Sequence, residues 1–202
     1  AGTPGFPDMD NASGEYLAKS ATAGNASGNT VDIKGANFFY KYSLDNGSHV
    51  FGGGGSVAVA GSDATSTAPV TRTARSGDVT NNNISIYLDS TSKSRFSGNN
   101  VRSIVGGMSL ATAHVAGPVT GTSSVATAEA GAATGNSITL TGVNSDGKYS
   151  FILGGGSSAM AVMPKGSGQL SATAGNTNDN TATLSNVTLS GNYAILGGGV
   201  SL

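Results

Sequence analysis

The 202-residue chain has no cysteine and no tryptophan, and only five prolines. Without cysteine there is no disulfide framework and no thiolate metal site. A small protein in an oxidising compartment then takes its rigidity from its fold rather than from covalent staples. Charge is scarce as well: charged residues make up 10% of the chain and the net charge is −1. So weak a field excludes a strong electrostatic hold on nucleic acid or on an anionic membrane surface. No apolar run approaches the ~20 residues that a membrane-spanning helix needs, so no membrane insertion of this segment is expected. The chain opens Ala1-Gly2-Thr3 with no basic start and apolar centre, which fits a mature or excised segment. Arg72, Arg75, Lys93, Arg95 and Arg102 form a mildly basic middle stretch. They read as solvated loop charges, with contact to an acidic partner as the alternative.

What is present is glycine, 32 of 202 residues, together with much Ala, Ser, Thr, Asn and Val. Low charge argues against solvated disorder, which combines high net charge with few apolar residues. Collagen is excluded because glycine does not recur at every third position.

The chain repeats itself. Four segments align on a glycine followed five residues later by an asparagine: GNASGNTVDI (24–33), GDVTNNNISI (77–86), GAATGNSITL (131–140) and GNTNDNTATL (175–184). In each, the second and fourth positions after the asparagine are apolar and the residues between them polar. That period-two alternation marks a half-buried strand, so Ile138 and Leu140 are expected in the core. A second anchor follows each segment: VFGG (50–53), IVGG (104–107), ILGG (152–155) and ILGG (195–198). A third precedes it, at Ala21–Ala23, Thr73–Arg75, Ala128–Ala130 and Ala172–Ala174. The asparagine anchor recurs after 53, 54 and 44 residues. Fixed motifs with variable joins are the behaviour of stacked units that touch only their neighbours.

Gly, Ser, Thr and Asn are poor helix formers, and no long stretch shows helical apolar spacing. The expected fold is all-β: a right-handed parallel β-helix, or β-solenoid, its hand set by the usual crossover rule. One segment spans 1–202, with four imperfect repeats at about 21–60, 73–116, 128–165 and 172–202. A propeller or sandwich is the competing architecture; a propeller wants four strands per blade and an aromatic signature that is missing here. A triangular rung uses roughly 20–25 residues, so each 44–54-residue repeat is expected to make about two rungs. Eight rungs at ~4.8 Å each give a rod of ~40 Å. Glycine then serves tight corners and close backbone approach. Asn29, Asn82, Asn136 and Asn180 are expected at left-handed corners and, in register, as an amide ladder. The chain ends at Gly197-Gly-Gly-Val-Ser-Leu202 with no polar cap in sight. Either the segment is cut from a longer chain, or the bare rung meets another molecule.

"GAATGNSITLTG" (131–142) followed by "SFILGGGSS" (150–158) resembles the repeats of bacterial autotransporter passengers. Those carry blocks of the form A-T-G-N-x-V-x-I-x-G followed by V-Y-G-G-x-S. The resemblance covers residues ~20–202; Phe51, Val105, Leu153 and Leu196 stand where the family motif has tyrosine. It implies a secreted, cysteine-poor, right-handed β-helical passenger, at the extracellular or outer-membrane surface of a Gram-negative bacterium. Such passengers serve as adhesins, self-associating stalks or carriers of an enzyme domain.

Candidates for chemistry are few. His49 and His114 are the only histidines, and no Gly-x-Ser-x-Gly elbow accompanies them. They read as surface or loop residues, with no catalytic residue assigned. A polysaccharide lyase or hydrolase on a β-helix wants clustered carboxylates. Asp32 aligns with Ser85, Thr139 and Thr183, so the repeat gives it no acidic neighbour. That row of hydroxyls raises ordered water at an ice surface as a minor reading, which irregular joins oppose. Asp8–Glu15 falls short of a calcium loop. No cofactor and no metal is expected.

The expected function is therefore a structural or adhesive solenoid segment outside the cell; the alternative is a self-assembling fibre subunit, and a polysaccharide-acting enzyme comes third. Its partners would be molecules of a host or neighbouring-cell surface, or itself by stacking, and not nucleic acid. Phe38, Phe39, Tyr40 and Tyr42 form the one aromatic cluster, in the long join at ~34–48. They are candidate ligand or partner contacts, or else a plug holding that insertion onto the coil. A second long join runs over ~87–102.

Overall fold

A computed structural model describes residues 19–34, 49–61, 69–87, 95–96, 101–115, 124–145, 149–163, 168–189 and 192–202. All its regular elements are strands, and they fall into four successive coils. The first holds β1 (Ser20–Thr22), β2 (Ala26–Ser27), β3 (Thr30–Lys34) and β4 (His49–Gly61). The second holds β5 (Thr71–Arg75), β6 (Val79–Thr80), β7 (Asn83–Tyr87), β8 (Arg95–Phe96) and β9 (Val101–His114). The third has β10 (Ser124–Glu129), β11 (Ala133–Thr134), β12 (Ser137–Thr141), β13 (Asn144–Ser145) and β14 (Tyr149–Val162). The fourth has β15 (Gly168–Thr173), β16 (Thr177–Asn178), β17 (Thr181–Ser185), β18 (Thr188–Leu189) and β19 (Asn192–Ser201).

Each strand pairs in parallel with its equivalents in the neighbouring coils, giving five sheets: β1-β5-β10-β15, β2-β6-β11-β16, β3-β7-β12-β17, β8-β13-β18 and β4-β9-β14-β19. The chain is a parallel β-helix. Its register corrects the expected two rungs per repeat. Thr30 pairs with Asn83, Asn83 with Ser137 and Ser137 with Thr181, so one coil consumes one whole repeat. The stack has four coils, not eight, and its outer coils lie ~14 Å apart at the ordinary interstrand spacing. The extra residues go into a long side: β4, β9 and β14 run 13–14 residues each, where a triangular rung would use short strands. Two anchors also shift by one place. Phe51, not Val50, pairs with Ile104, and Ala21 pairs with Ala74 rather than with Thr73.

The short strands fold back across the long one and enclose two cores. Ile84, Ile86, Ile104, Ile138, Leu140, Val143 and Ile152 pack between the β7/β12 faces and the first half of the long strands. Ile138 and Leu140 are fully buried, and burial of each such side chain stabilises by about 1.5–3 kcal/mol. The other core is nearly all alanine: Ala58, Ala60, Ala74, Ala111, Ala113, Ala126, Ala128 and Ala130 with Val115. Alanine fits because the β5/β10 sheet lies close against the second half of the long strands. Inward positions of the two middle coils are closed to solvent, whereas the fourth coil leaves Leu170 and Leu184 at 55% and 37% exposure.

Candidate functional site

Between the two cores runs a column of carboxamides. Asn29 Nδ2 donates to Asn82 Oδ1 at 2.7 Å, Asn82 Nδ2 to Asn136 Oδ1 at 2.9 Å, and Asn136 Nδ2 to Asn180 Oδ1 at 2.9 Å. The same three oxygens accept the backbone N–H of Asn29, Asn82 and Asn136 at 3.1, 3.1 and 3.0 Å. The second amide hydrogen of Asn82, Asn136 and Asn180 goes back one coil, to the carbonyls of Ala26, Val79 and Ala133. The column therefore has a direction: the backbone N–H and one Nδ2–H point toward the later coil, and each carboxamide oxygen faces the coil before it. These asparagines are not themselves the left-handed corners. Positive φ falls one residue earlier, at Gly28, Asn81, Gly135 and Asp179, with values of 68°, 55°, 66° and 54°. That residue turns the chain, and the next one aims its side chain inward.

The glycine run makes room for this column. A Cβ at Gly54, Gly107 or Gly155 would lie within 3.0 Å of the side chains of Asn82, Asn136 and Asn180 respectively. Inside β4, β9 and β14 these glycines hold extended backbone, not corners, and it is close approach that requires them. Only the fourth coil turns within its run: Gly198 has φ 81°, and the pairing jumps from Leu153–Leu196 to Gly155–Gly199, a one-residue bulge.

A serine column, not foreseen from the sequence, closes the second seam. Ser109 Oγ donates to Gly77 O at 2.9 Å, Ser157 Oγ to Gly131 O at 2.8 Å and Ser201 Oγ to Gly175 O at 3.1 Å, each within its own coil. Ser56 Oγ and Ser157 Oγ also accept the N–H of Gly77 and Gly175 in the following coil, both at 2.8 Å. The signal was available: Ser56, Ser109, Ser157 and Ser201 each stand two residues after Gly54, Gly107, Gly155 and Gly199. Arg72 is the other surprise. Rather than a solvated loop charge, it is an inward residue, 7% exposed, giving Nε to Gly61 O and Nη1 to Thr71 O. Burial pulls its guanidinium below the usual arginine range. Arg75 does face solvent and pairs with Glu129 one coil on, at 2.8 Å; that carboxylate holds its guanidinium above the usual value.

The outer faces are of two kinds. Asp32, Ser85, Thr139 and Thr183 stand in one register row, where Asp32 pairs with Lys34 of its own strand at 2.8 Å. The outside of the long-strand sheet mixes Val57, Val59, Met160 and Val162, at 41, 48, 51 and 36% exposure, with Thr112, Ser158 and His114 in the same register rows. Among the described residues no group of three or more His, Cys, Asp or Glu side chains is placed to hold a metal. Phe38, Phe39, Tyr40 and Tyr42 lie outside the described residues, as do most of both long joins. His49 begins β4, and His114, at the end of β9, is exposed. No helix of the described residues is long and apolar enough to cross a membrane. Compared with models of known families, with curated proteins and with solved structures, the chain matches none.

Proposed function

We propose that the chain is a structural and adhesive segment working outside the cell, in which a stiff β-helix displays contact loops. One observation carries this reading: the long insertions leave the same corner of adjacent coils. Fourteen residues separate Lys34 at the end of β3 from His49 at the start of β4. Thirteen separate Tyr87 at the end of β7 from Val101 at the start of β9, while the same corner of the third and fourth coils takes seven and six. The ends of both long joins are thus one coil apart, about 4.8 Å. Binding residues concentrate on loops held by a rigid scaffold, and the aromatic set Phe38, Phe39, Tyr40 and Tyr42 falls in the first join. The buried polar groups agree with this division of labour. The asparagine and serine columns are spent on bonding coil to coil, which makes a frame rather than a reaction site.

A host or neighbouring-cell surface molecule is the partner this reading implies, and export as a passenger of a Gram-negative surface protein is its setting. The test is the double variant Phe39→Ser, Tyr42→Ser, displayed on a cell and assayed for attachment to cells and glycan arrays. Attachment falls while circular dichroism stays as in the parent. Undiminished attachment with an intact fold overturns the aromatic contact. Attachment no better than that of cells without the displayed chain overturns the adhesive reading altogether.

A further inference from the structure

We draw no further inference here: the strongest candidate, the outward face of the long-strand sheet around Val57, Val59, Met160 and Val162, is broken by Thr112, Ser158 and His114, and nothing in the structure shows what covers it.

Discussion

Asn82 and Asn136, 54 residues apart in sequence, share a doubled hydrogen bond: the Asn136 side-chain oxygen takes both the backbone N–H and the side-chain Nδ2–H of Asn82. Both residues are fully buried. An asparagine is one of few side chains that fills this place, since it must accept on one side and donate on the other. A buried column of this kind is costly unless every member is satisfied.

Asn136→Ala leaves the Asn82 donors without their acceptor and takes the side-chain donor from the Val79 carbonyl and from Asn180 Oδ1, which keeps only the backbone N–H of position 136. At about 1–3 kcal/mol for each unsatisfied buried group, partly relieved by relaxation, the loss reaches at least ~3 kcal/mol. Urea unfolding measures it. Asn136→Asp behaves differently with pH. An ionised carboxylate would set an oxygen against the Val79 carbonyl and Asn180 Oδ1. Only the protonated acid donates there, so its folded pKa rises above the unfolded ~3.9. The variant is then most stable below that value and loses stability as pH climbs through the folded pKa. Melting temperatures of Asn136→Asp that are flat between pH 3 and pH 7 would contradict this geometry.

Within the glycine runs, position decides the outcome. Gly107→Ala drives a Cβ against the side chains of Asn136 and Val79 in a packed core. Overpacking of this kind costs about 1–3 kcal/mol or more. Gly52→Ala meets nothing within 4 Å. It is neutral or stabilises by up to about 1 kcal/mol through the unfolded chain. Equal melting temperatures for the two variants would count against the cradle.

Ser109→Ala removes two bonds, to Gly77 O and to Ser76 Oγ at 2.8 Å. The expected cost is about 1–3 kcal/mol. Ser201→Ala, on the exposed fourth coil, removes the equivalent carbonyl contact where water can replace it. Its cost by chemical denaturation stays below that of Ser109→Ala.

Arg75 and Glu129 pair across coils on the surface. A double-mutant cycle to alanine gives a coupling of about 0.2–1 kcal/mol that fades in molar salt. A salt-independent coupling of several kcal/mol would mean the pair is far less solvated than its exposure indicates.

Much of the architecture was legible because a stacked fold writes its neighbours into the chain at fixed intervals. The Gly-to-Asn spacing of five and the alternation after it located β3, β7, β12 and β17, and placed Ile138 and Leu140 in the core. These are local signals: strand alternation depends on which residues sit side by side in sequence. The number of coils was not local. A period of 44–54 residues fits one wide turn or two narrow ones, and only the pairing of Asn83 with Ser137 chose the wide one. The inward aim of Arg72 and the bonds of the serine column were likewise set by what lies across the coil. Composition and spacing by themselves determined that this chain stacks in parallel β-strands, since alternation and repeat are properties of one segment at a time. Tertiary structure alone decided why its glycines, serines and asparagines recur together, because each fills, clears or bonds a space that a neighbouring coil defines.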